Sequence, residues 1–297
     1  MPVDVGVDAG GSRTIAVAGI GDARNRVETS AANPTSVGLD VAAATIGDAI
    51  VAALRSEQPR SIVVGCAGAA RSEIAGALRD ALQHRFANAR IQVIDDARLA
   101  LYAAEVRERG VVLIAGTGSS AYGENAGRSA RCGGGGYAIG DEGSGYAIGS
   151  AGLRLALRTL DGRGPSDRTV AAVREYTGAN DRDALLAFAY GDASPVSAIA
   201  GVAPAILRCA DDGERSALTI VQAAARDLFD LVRAVVRAID AGDETPLVLH
   251  GGLLQTPSTL TYLLETRLGN ELPQLHTLRA AHSAHEGALR MAGMSLD

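Results

Sequence analysis

Three short apolar segments, separated by brief polar turns, open the chain and constrain its fold more than any other feature. Turns this short cannot form a parallel crossover, so residues 3–7, 14–20 and 25–31 predict antiparallel strands. After residue 40 the apolar spacing alternates between helical and strand-like periods. The segments with helical spacing are 40–56, 72–86 and 97–110, and those with strand character are 61–69, 91–95 and 111–116. Hairpin strands followed by alternating helices and strands predict a mixed sheet with helices on its faces.

The same order of elements begins again near Gly116. The stretch VVLIAGTGSSAYGENAGRSARC indicates a strand, a glycine turn, a strand, a second turn and a third strand. Helices dominate the residues after it, including a long helix at 215–239, and the strand PLVLHGG precedes a further helix. We therefore predict two similarly built domains, residues 1–115 and 116–297, with the last helix packing back on the first domain.

Composition excludes several classes of function. Of the 297 residues, 47% are hydrophobic and 21% are charged, which is typical of a globular protein. The net charge is −6 and there is no polybasic run, which argues against nucleic acid and anionic membranes as partners. The first residues lack the pattern of a signal peptide, and no apolar run is long enough to cross a bilayer. The cysteines form neither a zinc motif nor an even disulfide set, so we expect a cytoplasmic protein with reduced thiols at Cys66, Cys132 and Cys209.

Glycine-rich turns follow three of the apolar strands, at residues 8–14, 116–120 and 250–252. Glycine lets backbone N–H groups approach an anion closely, so such turns can cradle phosphate, although each alone is also compatible with a plain hairpin turn. None continues into the Gly-Lys-Ser/Thr of a Walker A loop. Residues 116–121 fit the G-x-G-x-x-A fingerprint of a dinucleotide-binding fold, but the pattern after them is that of a hairpin instead of a helix, which argues against that fold.

Acidic residues stand beside these turns. Asp8 ends the first strand, where a carboxylate is either a Mg²⁺ ligand or part of an Asx turn. Asp95 and Asp96 lie where a strand gives way to a helix, so either both cap the helix, or one caps it while the other takes a proton from a substrate hydroxyl. Asp141 and Glu142 lie between glycines, either in a solvated turn or against the hydroxyls of a sugar.

Two further segments combine polar and packing residues. Asn33 and Thr35 in ANPTSVG belong either to a proline turn or to a polar ligand loop. The stretch CGGGGYAIGDEGSGYAIG, residues 132–149, contains two copies of Gly-Tyr-Ala-Ile-Gly, whose tyrosines and isoleucines are residues that pack. A flexible linker would be rich in Gly and Ser throughout, which argues against a linker and leaves a phosphate cradle and the wall of another pocket as the alternatives.

Seven segments occur in an order that is known from one family. They are VGVDAGGSRT, ANPTSVG, GCAGA, VIDDA, LIAGTGSSAYG, CGGGGYAIGDEGSGYAIG and LVLHGG. In this order the chain resembles the BadF/BadG/BcrA/BcrD-type ATPase family, and most of all its N-acetylglucosamine kinase branch. The resemblance implies the α/β, actin/hexokinase-like fold, in which two ribonuclease-H-like domains, each a mixed five-stranded sheet flanked by helices, surround a central cleft. It also implies ATP and Mg²⁺ as cofactors and a homodimer.

The resemblance assigns roles to the residues that match the family's motifs. Asp96 matches the base that accepts the proton of the sugar hydroxyl, and Asp8 matches the Mg²⁺ ligand, direct or through water. The residues that match the ATP-binding segments are Gly10, Gly11, Ser12, Thr14, Gly116, Thr117, Gly118, Ser119, Gly251 and Gly252. Those that match the sugar-binding segments are Asn33, Asp96, Thr117, Gly136, Asp141 and Glu142.

Three positions depart from the motifs of the resembling kinases. Asp95 replaces an asparagine, which leaves open which of two adjacent carboxylates is the base. Gly135 replaces a tryptophan of the sugar pocket, and Arg13 replaces a lysine of the first segment. Another branch of the family activates 2-hydroxyacyl-CoA dehydratases through an iron–sulfur cluster, which requires cysteine ligands. The second glycine turn contains no cysteine, so we do not expect that activity.

The sequence therefore predicts an ATP-dependent sugar kinase that phosphorylates the 6-hydroxyl of N-acetylglucosamine or a related hexose. Glucosamine, glucose and N-acetylmuramate are the alternative substrates. A non-catalytic ATP-dependent sensor or activator on the same fold is the alternative from a different class, and a Rossmann oxidoreductase is the third.

Overall fold

The computed structural model describes residues 3–20, 23–69, 71–107, 109–191, 195–279 and 282–294. The chain forms two compact units, one of residues 1–107 together with 280–297 and one of residues 108–279. The expected domain boundary after residue 115 places residues 110–115 in the first domain. In the structure these residues belong to the second unit because they pair with its strands.

The described residues contain ten strands and twelve helices. The strands are β1 (Val3–Ala9), β2 (Thr14–Ile20), β3 (Ala23–Thr29), β4 (Pro59–Cys66), β5 (Arg90–Asp95), β6 (Gly110–Ala115), β7 (Ser119–Asn125), β8 (Arg128–Gly133), β9 (Thr245–His250) and β10 (Leu275–Arg279). The helices are α1 (Pro34–Val37), α2 (Leu39–Leu54), α3 (Ser72–Arg85), α4 (Asp96–Ala103), α5 (Gly145–Leu160), α6 (Arg168–Thr177), α7 (Arg182–Tyr190), α8 (Pro195–Ala200), α9 (Ala203–Asp211), α10 (Arg215–Ile239), α11 (Thr259–Glu271) and α12 (Ala284–Met294).

The first unit is built on a five-stranded sheet with the order β3-β2-β1-β4-β5. Its first three strands pair antiparallel, while β1, β4 and β5 pair parallel, so the predicted mixed sheet is confirmed. Side chains of β4 alternate between the two faces. Ile62 and Val64 pack in one buried cluster with residues of α2 and α3, and Val63 packs in another with residues of α4 and α12.

The last helix packs against β1 within the first unit. The contact is close because β1 has a glycine at its centre: a Cβ on Gly6 would lie 2.2 Å from the backbone nitrogen of Leu289. On the other side of the same helix, a Cβ on Gly287 would lie 2.8 Å from the Cβ of Ala103 in α4. Small residues at these positions let the backbones approach, and any larger side chain would force them apart.

The second unit repeats this sheet with the order β10-β9-β6-β7-β8. β6, β7 and β8 pair antiparallel, and β6, β9 and β10 pair parallel, so each strand occupies the position of its counterpart in the first sheet. The long helix α10 lies across β6, β7 and β8, where a Cβ on Gly123 would lie 2.7 Å from Val235. The two similarly built halves and their five-stranded sheets are thereby confirmed.

Besides shifts of up to three residues at the ends of elements such as β1, β3 and β4, two elements differ from the sequence prediction. β10 was not located, because it is a half-exposed edge strand whose residues, LHTLR, alternate too weakly to stand out. α4 ends at Ala103 instead of continuing to residue 110. The backbone turns sharply there, with Glu105 in the left-handed region at φ 63° and Val106 N–H donating back to the carbonyl of Leu101 (3.0 Å). In the described part of the chain, none of the helices has the length and apolar character needed to cross a membrane.

Candidate functional site

The first glycine turn joins β1 to β2 in the first unit. The N–H of Gly10 donates to the carbonyl of Arg13 (2.9 Å), which closes the turn. A Cβ on Gly11 would meet nothing within 4 Å, and Gly11 and Ser12 are exposed. Thr14 ends the turn fully buried, and its hydroxyl has no hydrogen-bond partner among the described residues. The turn is thus a hairpin connection with an open backbone and a buried hydroxyl at its base.

Asp8 and Asp96 lie at the same edge of the first sheet, where the carboxyl ends of the parallel strands β1, β4 and β5 meet. Burial, and after it the negative charge of Asp96, raises the pKa of the Asp8 carboxyl to about 6, against a smaller lowering by Arg13. Burial and the charges of the same two aspartates raise the pKa of the Cys66 thiol to about 12. The two carboxylates and the thiol are therefore close enough to interact electrostatically.

Asp95 and Asp96 occupy different positions in spite of being neighbours. Asp95 is the N-cap residue of α4 with an extended backbone, but its side chain makes no capping hydrogen bond. Asp96 is the first residue of the helix, and its Oδ1 accepts from the N–H of Ala97 (2.9 Å). The charge that raises the pKa of Asp8 is that of Asp96. Of the two adjacent carboxylates, Asp96 is the one coupled to Asp8.

Asn33 caps the short helix α1. Its Oδ1 accepts from the N–H of Thr35 (2.9 Å), and Pro34 occupies the first turn of the helix. The loop after β4 approaches this cap closely: a Cβ on Gly68, whose φ is +86°, would lie 2.5 Å from Oδ1 of Asn33 and 2.8 Å from Oγ1 of Thr35. The segment ANPTSVG thus forms a short helix whose N-cap lies against the loop after β4.

The second glycine turn joins β6 to β7 in the second unit. The N–H of Gly116 donates to the carbonyl of Gly118 (2.9 Å), which closes the turn. The N–H of Ser119 donates to Oδ1 of Asp141 (3.3 Å), and the hydroxyl of Ser119 donates to the carbonyl of Glu142 (2.7 Å). Residues expected at the ATP phosphates are thus in direct contact with residues expected at the sugar.

Asp141 carries an unusual backbone and a perturbed carboxyl group. Its φ is +58°, in the left-handed region that non-glycine residues rarely adopt. Burial is the main cause that raises its pKa, and the charge of Glu142 adds to it, while hydrogen bonds from the backbone of Ser119 and Gly136 lower it. Gly136 also has a left-handed φ, of +82°, and its carbonyl accepts from the N–H of Gly140 (2.8 Å). The carboxylate therefore bridges the second glycine turn and the loop that begins at Gly136.

The third glycine turn, Gly251–Gly252, follows β9, whose end lies beside the end of β6. A Cβ on Gly251, at φ +96°, would lie 2.3 Å from the carbonyl oxygen of Ala115, so only glycine fits there. The same carbonyl accepts from the N–H of Leu253 (3.1 Å). A Cβ on Gly252 would meet nothing within 4 Å. This turn and the second one start at the same edge of the second sheet.

Sequence reasoning missed two residues of these sites. Cys66 is the last residue of β4, which lies between β1, the strand of Asp8, and β5, after which Asp96 begins α4; its place at the end of a buried strand is the signal that identifies it. Gly68 packs on Asn33, and the quoted segment GCAGA contains it without a stated role. Among the described ranges, no group of three or more His, Cys, Asp or Glu side chains is arranged to hold a metal ion.

Residues 5–292 match the BadF/BadG/BcrA/BcrD ATPase family. The chain belongs to this family. Its two mixed five-stranded sheets flanked by helices are the arrangement of actin/hexokinase-like sugar kinases. Among solved structures, a candidate N-acetylglucosamine kinase from Chromobacterium violaceum is similar with a TM-score of 0.76 and 25% identity, over 98% of this chain and 99% of that one.

Two relatives of known name are similar along most of their length. The N-acetylmuramic acid/N-acetylglucosamine kinase of Clostridium acetobutylicum is 28% identical over 243 residues, which cover 81% of this chain and 79% of that protein. The N-acetyl-D-glucosamine kinase of Dictyostelium discoideum is 28% identical over an alignment of 308 positions, which covers 97% of both.

Proposed function

We propose that the protein is an ATP:sugar phosphotransferase that phosphorylates the 6-hydroxyl of N-acetylglucosamine or a closely related amino sugar. The names of its two relatives support this class of substrate. The observation that carries the proposal is the coupled pair Asp8 and Asp96 at the carboxyl edge of the first sheet. Ligands of α/β proteins bind at this edge, and a carboxylate there can take a proton from a hydroxyl.

Asp96 is the general base of the proposed reaction. It accepts the proton of the sugar hydroxyl while the hydroxyl oxygen forms a bond to the γ-phosphorus and the bond from that phosphorus to ADP breaks. Asp96 is the first residue of α4, and the partial positive charge of a helix N-terminus stabilises a carboxylate there. Asp95 precedes the helix as its N-cap residue, and we assign it no step.

Asp8 is the proposed Mg²⁺ ligand, direct or through water. Mg²⁺ is usually bound by one or two carboxylates together with phosphate oxygens and waters, so a single carboxylate fits this ion better than a cluster of ligands would. When bound, Mg²⁺ neutralises the charge that develops on the transferred phosphoryl group. The raised pKa of Asp8 supports this role, because a carboxyl that burial and a neighbouring charge disfavour as an anion gains most from a cation.

The glycine turns supply the proposed ATP contacts. Their open backbones, at Gly11 and Gly252 above all, leave room for a ligand to approach. The residues proposed to contact ATP are Gly10, Gly11, Ser12, Thr14, Gly116, Thr117, Gly118, Ser119, Gly251 and Gly252. Those proposed to contact the sugar, besides Asp96, are Asn33, Thr117, Gly136, Asp141 and Glu142.

The sugar is the part of the proposal that depends on Gly135. A Cβ at this position would lie 3.7 Å from the Cα of Gly140, an ordinary contact distance, and Gly135 does not have a left-handed backbone. A β-carbon therefore fits at position 135, and the site lacks the tryptophan that the resembling kinases carry there. We propose that the absence of this side chain lets the site admit sugars with a bulky substituent, N-acetylmuramate as well as N-acetylglucosamine.

The test is ADP release measured with a panel of sugars, with Mg²⁺ and with excess chelator. The panel consists of N-acetylglucosamine, N-acetylmuramate, glucosamine and glucose, together with a reaction that lacks sugar. Sugar-dependent release that stops with chelator, and a 6-phosphate product identified by NMR, support the kinase. Slow release that no sugar accelerates would instead favour an ATP-dependent sensor or activator.

We also infer a homodimer in the cytoplasm. The family resemblance supports the dimer, and the free thiols of Cys66, Cys132 and Cys209 support a reducing compartment. Light scattering coupled to size-exclusion chromatography measures the mass directly, and a mass near that of one 30.3 kDa chain would contradict the dimer.

A further inference from the structure

The second glycine turn and the glycine-rich wall form one hydrogen-bonded unit. The first two amides of α5 donate to the turn: Gly145 N–H to the carbonyl of Gly116 (2.8 Å) and Tyr146 N–H to that of Thr117 (3.2 Å). At the other end of the turn, the carbonyl of Ser119 accepts from the N–H of Gly134 (2.8 Å), and its hydroxyl donates to the carbonyl of Glu142 (2.7 Å). These bonds connect backbone to backbone or hydroxyl to backbone, so they depend little on side-chain charge.

Asp141 is the exception, because it contacts the turn through a charged side chain. Its Oδ1 accepts from the N–H of Ser119 (3.3 Å). The carboxylate also lies flat against Gly118, where a Cβ would be 2.8 Å from Oδ2 and 3.0 Å from Oδ1. A side chain at position 118 would therefore displace the carboxylate of Asp141, and the two residues shape each other.

This arrangement has a cost that the rest of the chain must offset. A left-handed backbone at a non-glycine residue is disfavoured, and so is a half-buried carboxylate beside the charge of Glu142. Glycine at position 141 would remove both penalties, and asparagine would remove the penalty of the buried charge. A residue that is kept in a disfavoured state at a ligand-binding turn is better explained by function than by stability.

We propose that Asp141 is a positioning residue for the second glycine turn, holding the amide of Ser119 and the backbone of Gly118 in the geometry that receives the phosphates of ATP. The proposal rests on the proposed function in one respect, namely that this turn binds ATP. It differs from the role of a sugar ligand, because a residue that contacts only the sugar has no effect on ATP when sugar is absent.

The test compares two variants with a matched control. Asp141→Asn keeps the shape and tolerates the left-handed backbone, but its amide can accept through one oxygen only. Asp141→Gly keeps the backbone conformation and removes the side chain. Asp240→Asn is the control: Asp240 is also left-handed (φ 54°) and acidic, but it is the C-cap residue of α10 and pairs with Arg128 (3.4 Å).

Two measurements are made without sugar, after circular dichroism has established that each variant is folded. Hydrogen exchange of the 116–121 segment in the ligand-free protein reports the amide of Ser119. Calorimetric titration with Mg²⁺ and a non-hydrolysable ATP analogue reports the affinity of the nucleotide. We expect Asp141→Gly to exchange the Ser119 amide about tenfold faster and to bind the analogue about tenfold more weakly, because a hydrogen bond to a charged group contributes about that factor. Asp141→Asn, which keeps one accepting oxygen, should change both quantities in the same direction by a smaller factor.

Unchanged exchange in both Asp141 variants overturns the proposal, and so does unchanged or tighter binding of the analogue. Equal effects in Asp240→Asn overturn it as well, since they would reflect a general loss of charge in this unit. The sugar panel is a separate experiment. If the Asp141 variants behave as expected but no sugar is phosphorylated, the positioning role stands and the kinase proposal fails.

Discussion

Replacing Asp8 by asparagine should stabilise the protein in a pH-dependent way. The pKa of this carboxyl is raised from 3.8 to about 6 by burial and by Asp96, against a smaller lowering by Arg13. Such a carboxyl contributes its full stability at pH values below its pKa in the unfolded chain, where it is protonated in both states. That contribution is lost as the pH rises through its raised pKa in the folded protein. At pH 7.5 the ionised carboxylate therefore costs up to about 3 kcal/mol, and at pH 4.5 only about 1 kcal/mol.

Asp8→Asn removes this cost, because the amide has nearly the same shape and does not ionise. For a unit of this size the gain at pH 7.5 corresponds to a rise in Tm of roughly 6–12 °C, and at pH 4.5 to about a third of that. Thermal unfolding followed by circular dichroism at the two pH values, without Mg²⁺ or ATP, measures it. If Asp8 holds Mg²⁺, the same variant should lose most of its kinase activity, as expected where a functional residue is kept at the expense of stability.

Asp4→Asn is the matched control for this experiment, since Asp4 lies on the same strand. Its carboxylate accepts from Nε of Arg60 (3.0 Å), so an amide there loses a charge-assisted hydrogen bond and should give no gain at pH 7.5. An Asp8→Asn gain of equal size at both pH values would refute the reasoning, because it would not come from ionisation. A lower Tm at pH 7.5 would refute it too.

Three further outcomes can be checked. Asp96→Asn should lower kcat by about 10²–10⁴ with sugar binding preserved, as expected for loss of a general base. Asp95→Asn should lower kcat much less, and equal losses of kcat in a steady-state assay would contradict the assignment of the base. Gly251→Ala should destabilise the second unit by at least about 2 kcal/mol, because its Cβ would lie 2.3 Å from a carbonyl oxygen. Gly252→Ala, whose Cβ meets nothing within 4 Å, should unfold like the wild type, and thermal unfolding compares the two variants. The pKa of the Cys66 thiol is raised to about 12, so Cys66 should resist a thiol reagent at pH 8 until the protein is unfolded. Mass spectrometry locates the label, and rapid labelling of Cys66 in the native protein would contradict this expectation.

Local patterns in the sequence were sufficient for most of the architecture. The short turns between the first three apolar segments excluded parallel crossovers, and the recurrence of that pattern after Gly116 indicated the second sheet. α10 begins and ends at the predicted residues because its apolar face repeats with a helical period over 215–239. β10 escaped prediction for the opposite reason, since an edge strand with one weakly apolar face leaves little periodicity to read.

The residues of the candidate sites were likewise predictable from the sequence only in part. The glycine turns can be located from the sequence, because each follows an apolar strand directly. The sequence left open whether Asp95 or Asp96 faces the ligand edge, since both are compatible with a strand end and a helix start. Only the parallel pairing of β1, β4 and β5 brings the coupled group Asp8, Cys66 and Asp96 to one edge.

The contact of Asp141 with Gly118 and Ser119 could likewise be decided only by tertiary structure. These residues lie more than twenty positions apart, joined by a hairpin and a loop with several left-handed glycines, and no periodicity links them. The sequence by itself determined which residues form strands, helices and turns, because those depend on neighbours within a few positions. Which turns meet, and which carboxylate faces which amide, followed from strand order and register, because packing brings together residues that are distant along the chain.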